Sequence, residues 1–280
     1  MNKFFTAIGI SKQSFHQHLS RRQRQSELEQ QVLKVVSAVR KDHPAMNVRD
    51  IYFKMRPGSM GRDRFEQLCR ELGLGVVRRK NLRRTTDSSG VKRFENLIRD
   101  RKVKVINEVW QSDITYYELK GRFYYLTFIQ DACSRMIVGY SVSKSLHTHA
   151  TTIPALQMAL RKRGASTSLK GLILHSDGGG QYYCDEFLKL TGKAGMVNSM
   201  GKMAQENGMA ERLNGVIKNN YLRYQSINTF EDLVTNVDRT VQLYNEGKPH
   251  KGLHRKTPFQ FETRYNELVA SNTRLNKADP

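Results

Sequence analysis

The stretch VWQSDITYYELKGRFYYLTFIQDACSRMIVGYSV, residues 109–142, decides the architecture of the chain. Three runs rich in β-branched and aromatic residues, 109–117, 123–129 and 135–142, are separated by Lys120-Gly121 and by Asp131-Ala132-Cys133-Ser134. That composition favours strands, and connections so short join antiparallel neighbours, so a three-stranded meander is expected. One residue does not belong there. Asp113 lies inside the first run among apolar and aromatic neighbours, where an unpaired charge is costly and something must offset it.

Downstream, Ile153, Leu156 and Leu160 recur at helical spacing and predict a helix over 148–163, ended by Gly164. Residues 171–174 form a continuous apolar strand of the kind covered on both faces, and it runs into His175-Ser176-Asp177 and the glycine turn 178–180. A long helix is expected over about 205–224. The segment after Phe230 adds an amphipathic helix and then YNEGKPHKGLHRKTPFQFE. The order, with a helix between the apolar strand and the long helix, is that of a ribonuclease-H-like α/β domain: a mixed five-stranded sheet with flanking helices, here over 105–270.

Upstream, residues 26–41 place Leu28, Val32, Val35, Val36 and Val39 on one helical face, with His43-Pro44 as the stop. A shorter helix follows over 48–55. A third, 62–72, carries Phe65, Leu68 and Leu72 and is closed by Gly73 and Gly75. Residues 1–77 therefore read as a small all-α region. It is either helix-turn-helix-like, its last helix carrying Arg62, Arg64 and Arg70 into a major groove, or a three-helix bundle with a solvated basic face. Arg78-Arg79-Lys80, Arg83-Arg84 and TTDSSG mark a basic linker over 78–104, whose charges suit phosphates without reading bases.

With 47 basic and 26 acidic side chains the 280 residues carry a formal charge of +21, which points to a polyanion, nucleic acid ahead of an anionic membrane surface. No run of about 18 apolar residues exists to span a bilayer, and the N-terminus has no signal-peptide pattern, so no membrane partner is expected. Cys69, Cys133 and Cys184 are odd in number and far apart, which argues against disulfides and a zinc knuckle and fits a reducing cytoplasm. His147 and His149 read as loop or helix-start residues. No phosphate-binding G-x-x-x-x-G-K-S/T is present, so ATP is not implied.

Asp113 in the first strand, Asp177 at the C-terminal edge of the sheet and Glu211 in the long helix form the candidate site. If they converge, their mutual repulsion raises their pKa values unless a cation intervenes. Hard oxygen ligands favour magnesium, with manganese as a substitute, and two such ions roughly 3.5–4 Å apart suit phosphoryl transfer. At 100° per residue Asn207, Asn214 and Lys218 fall near the stripe of Glu211, and Lys218 is placed to reach a phosphate. Glu206, five residues before Glu211, points roughly 140° away on a continuous helix, so Glu211 is preferred. Asp131 is expected to serve the turn after the second strand, Asp185 and Glu186 to cap a helix beginning near Phe187, and the glycines 178–180 to make a tight turn.

In this order WQSDITYY, HSDGGGQYY, ENGMAERLNGVIKNNY and YNEGKPHKGLHRKTPFQF resemble the DDE transposase and retroviral-integrase catalytic core, above all the second-reading-frame proteins of family-three bacterial insertion sequences. The resemblance covers nearly the whole chain. It implies a metal-dependent transposase that cleaves and joins DNA strands, with Asp113, Asp177 and Glu211 as metal ligands and Lys218 as a DNA contact. It also implies terminal repeats and target DNA as partners, a homo-oligomer on DNA, and extra helices supplied by an upstream reading frame product. From Asp177 to Glu211 there are 211 − 177 − 1 = 33 intervening residues, two fewer than is usual in the family, which a deletion between Ser199 and Gln205 explains most simply. Two other readings are a ribonuclease-H-like nuclease that does not rejoin strands and a catalytically inactive DNA-binding protein.

Overall fold

The computed structural model describes residue 9 and residues 11–76, 94–164, 167–201 and 204–275. The linker cations Arg78, Arg79 and Lys80 lie outside the described residues, as does much of the loop before Glu211. The chain divides into two compact units, Met1–Arg79 and Lys80–Pro280.

The first unit is all helix: α1 (Lys12–Asp42), α2 (Val48–Met55) and α3 (Arg62–Glu71). The apolar stripe of α1 meets Ile51, Phe65 and Leu68 in a small core. Asn47 caps α2, its side-chain oxygen accepting from the backbone N–H of Asp50 at 2.9 Å. Arg49 and Glu66 pair with two parallel bonds of 2.7 and 2.8 Å between α2 and α3. α1 begins at Lys12, far upstream of the expected 26–41, because 12–25 contains neither glycine nor proline and Ser11 supplies a cap.

In the second unit β1 (Val109–Leu119), β2 (Arg122–Asp131) and β3 (Ile137–Ser143) form the antiparallel meander. α4 (Thr152–Arg163) crosses to β4 (Ile173–Ser176), which pairs parallel with β1. α5 (Asp185–Lys193) then leads to β5 (Val197–Met200), parallel to β4, giving the order β3-β2-β1-β4-β5. This is the ribonuclease-H-like mixed sheet. α6 (Gly208–Asn220), α7 (Phe230–Gln242) and α8 (Pro258–Leu275) follow.

Alternation along the strands divides the core in two. Trp110, Ile129 and Val138 pack against Leu156 of α4 and Phe187 of α5. Leu126 and Phe128 pack with Leu213 and Ile217 of α6 and Leu233 and Val237 of α7. Two expectations shift. β4 starts two residues late and takes in His175 and Ser176, because Gly171 turns at φ 80° and the β5 ladder pairs His175 with Ser199. β5 is too short to show a pattern of its own. The long helix is confined to 208–220 by non-helical backbone at Asn207 and Tyr221, with 3-10 turns on either side.

Asp131 does serve its turn, its carboxylate accepting from the N–H groups of Cys133, Ser134 and Asn107 at 2.7–2.9 Å. Asp185 and Glu186 lie in the first turn of α5 without a side-chain cap bond. α8 is anchored by Glu262, which accepts two bonds of 2.7 Å from Arg163 and one of 2.6 Å from Ser134 Oγ.

Sheet and helix pack tightly at Gly139, where a Cβ would collide with the carbonyl of Ala155 and press on Ala159. Gly139→Ala is expected to cost about 1–3 kcal/mol through overpacking, read as a lower urea midpoint at unchanged slope.

Candidate active site

Parallel pairing brings the first two carboxylates together. Val109, Trp110 and Gln111 oppose Ile173, Leu174 and His175, so two residues further on, past the end of the ladder, Asp113 comes opposite Asp177 in the same pleat phase. Both belong to the face that carries α6. Asp177 is tied down locally: its Oδ1 accepts from Gly179 N–H at 3.1 Å and its carbonyl from Tyr183 Oη at 2.9 Å. A side chain at 179 would come within 3.1 Å of Asp177 Oδ1, so this turn position is best filled by glycine.

The third carboxylate arrives on α6, which is strapped to β1 by polar side chains along one stripe. Asn207 Nδ2 donates to the Ser112 carbonyl at 2.9 Å. Asn214 Nδ2 donates to Asp113 Oδ2 at 2.8 Å. Lys218 Nζ donates to Thr115 Oγ1 at 2.6 Å and to the Tyr116 carbonyl at 3.3 Å. Glu211, between Asn207 and Asn214 on that stripe, is exposed. Glu206 takes another direction. It lies in the 3-10 turn before α6 and accepts from Arg99 Nη2 at 2.6 Å.

The electrostatics follow from this crowding. Burial, then the negative charge of Asp177, and after that of Glu211, push the Asp113 carboxyl up to about 8, against bonds from Ile114 N–H and Asn214. Burial also raises Asp177. It lowers Lys218, with Asp113 opposing. The His175 imidazole, bonded through Nδ1 to Ser199 Oγ at 2.9 Å, is driven by burial to about 4 and stays neutral.

Whether these residues suit a cation can be judged from the oxygens around them. Gln111 Oε1, Asn207 Oδ1 and Asn214 Oδ1 are buried without a hydrogen-bond partner on the Asp113 side of the sheet. Buried acceptors without donors beside repelling carboxylates form an oxygen-rich set that a hard, hydrated cation would satisfy. The side chains as placed do not close into a cage: among the described residues no three His, Cys, Asp or Glu stand close enough to hold a metal ion. Asp113 and Asp177 are adjacent, and Glu211 is felt electrostatically but remains in solvent.

Of the other sequence-derived candidates, Lys218 spends two of its N–H groups on β1. Arg62 bonds Asp63 Oδ1 at 2.7 and 2.9 Å, and Arg64 bonds Gln25 of α1. Gln111 and Thr115 escaped the sequence reading, although they share the period-2 face of Asp113. Among the described residues no helix is long and apolar enough to cross a membrane.

Residues 105–205 match the family described as Integrase core domain, and residues 195–258 match a second family of the same description; together they span 258 − 105 + 1 = 154 of the 280 residues. The chain is 29% identical over 216 residues to the insertion element IS600 31 kDa protein of Shigella sonnei, covering 75% of this chain and 78% of that one. It is 27% identical over 273 residues to the putative transposase for insertion sequence element IS986/IS6110 of Mycobacterium tuberculosis (strain CDC 1551 / Oshkosh), covering 91% and 96%. A solved structure of the HTLV-2 integrase catalytic core domain in complex with magnesium aligns at a TM-score of 0.43 and 24% identity, over 55% of this chain and 95% of that one. Two integrase core matches across 105–258, and a transposase relative aligned almost end to end, place the chain among the insertion-sequence transposases of the DDE/integrase superfamily, enzymes that act on DNA.

Proposed function

We propose that Asp113, Asp177 and Glu211 are the metal ligands of this transposase, that they hold a pair of magnesium ions, with manganese able to substitute, and that the site cleaves and joins DNA strands. The observation that carries the reading is the β1–β4 register, which sets Asp113 against Asp177 beneath a helix whose Glu211 charge reaches Asp113. When bound, a divalent cation supplies positive charge for the crowded phosphate and makes an attacking water or hydroxyl more acidic.

The residues of the chain do the rest. Asp113 must lose its proton to serve as a ligand, and a bound cation would favour that ionised form against the neighbouring carboxylates, which disfavour it. Asn214 fixes Asp113 Oδ2 and the Ile114 N–H fixes Oδ1, so the carboxylate is oriented at both oxygens. Lys218, with one N–H left after its two bonds to β1, is placed to meet a phosphate oxygen. The ion pair of Glu206 with Arg99 removes it from the role of third ligand. Handling two element ends together calls for more than one copy of the chain on DNA, and three free cysteines suit a reducing cytoplasm.

With labelled element-end DNA and magnesium, Asp177→Asn and Glu211→Gln are expected to lose strand transfer by more than about 100-fold while still binding the DNA, and Glu206→Gln to keep most of it. Equal activity in wild type and Asp177→Asn would refute the ligand assignment. Nicking without joining would make the protein a nuclease.

The pH dependence has a definite sign. The folded-state pKa of Asp113 is raised from 3.8 to about 8 without metal, so its stabilising contribution is complete below the unfolded value and is lost as pH climbs to the folded one. In chelator, the melting temperature of wild type relative to Asp113→Asn is expected to fall between about pH 4 and pH 8, and magnesium to reverse the trend. Parallel profiles for the two proteins would contradict this.

A further inference from the structure

The first helix is far longer than its apolar face. α1 runs for 31 residues, about 46 Å, yet its buried side chains, Val32, Val36 and Val39, all lie in the second half. Before them every residue from 12 to 24 is exposed, apart from the half-buried Phe15. Residues 12–26 carry Lys12, Arg21, Arg22 and Arg24 and no carboxylate; the first acid is Glu27. Lys12, in the first turn, opposes the macrodipole, and no acid there compensates it; Arg21, Arg22 and Arg24 lie beyond the reach of the dipole's end.

At 100° per residue the core-facing line through Val32 and Val39 continues back through Gln25 and Arg21. Where the apolar stripe stops, the same face goes on as polar and basic. Gln25 joins it to the neighbouring helix: its Oε1 accepts from Arg64 of α3 and its Nε2 donates to Glu29 at 2.7 Å. Arg21 lies one turn before Gln25 and Arg24 beside it, and Arg64 of α3 reaches the same surface through its bond to Gln25. Basic side chains from two helices thus border one continuous surface.

We propose that the exposed half of α1 is a DNA-backbone arm that grips phosphates beside α3 without reading bases. The proposal rests on the chain acting on DNA and names the surface that meets it. Charge selects the occupant. Arginine forks match phosphate oxygens, whereas a second copy would bring like charges together along a helix with no repeating apolar seam.

The test measures the affinity of full-length wild type and Arg21→Ala/Arg24→Ala for an element-end duplex and a scrambled duplex of equal length, from about 50 to 200 mM salt. Both duplexes are expected to bind the variant more weakly and to similar extents, with the slope of log Kobs against log salt shallower by about 1.8, since each lost phosphate contact removes about 0.9. Arg21→Lys/Arg24→Lys is expected to recover most of the slope. Wild-type affinity and slope in the alanine variant would overturn the arm. So would a loss confined to the element end, or a lysine variant as weak as the alanine one. If wild type binds with the steep slope but joins no strands, the carboxylate reading fails and the arm stands. If strands are joined while the alanine variant binds as wild type does, the arm fails alone.

Discussion

Two carboxylates side by side, just past the end of the β1–β4 ladder, are the constraint around which the second unit is arranged. Asp113 and Asp177 are brought level by the parallel pairing of β1 with β4, and neither has a cationic partner in a short ion pair among the described residues. A protein gains nothing in stability from such a pair. Its burial raises both pKa values, and it persists because the crossover through α4 and the core behind Trp110 hold the two strands in register. Strain of this kind, kept in place by the surrounding packing, is what functional sites retain and structural cores eliminate.

α6 turns that pair into a site. Three polar side chains bind the helix to β1 on the face where its apolar residues, Leu213 and Ile217, enter the second core. Apolar packing supplies the affinity of helix for sheet, and the polar stripe fixes its rotation and height. Glu211 is aimed by both while remaining exposed. A ligand left in solvent can adjust when a cation and a DNA strand arrive, whereas Asp113, fixed by Asn214, cannot.

Much of this was legible in the residues. The meander shows in its β-branched and aromatic runs, and Asp113 stands out because a charge interrupts one of them. Helical phase aligns Glu211 with Asn214 and Lys218, since angle along a helix follows from spacing alone, but it does not reach Glu206 and Asn207, which lie in the 3-10 turn before α6, and Glu206 is drawn away by Arg99 instead. The level pairing of Asp113 with Asp177 was not legible: the parallel register pairs residues 173 − 109 = 64 positions apart in the chain, which no local pattern encodes. β5 is four residues without alternation and exists as a partner for β4. The first half of α1 escaped for a related reason, having no apolar stripe to announce a helix, and the ion pairs that occupy Arg62 and Glu206 depend on neighbours distant in the chain or on rotamers.

The central claim is that Asp113, Asp177 and Glu211 share a divalent cation. Its most direct test is the binding of manganese to metal-free protein, followed by electron paramagnetic resonance, in wild type, Asp113→Asn, Asp177→Asn, Glu211→Gln and Glu206→Gln. Saturable binding in wild type and Glu206→Gln, weakened at least about tenfold in each of the other three, is the expected result. Equal binding in all five proteins would contradict the account.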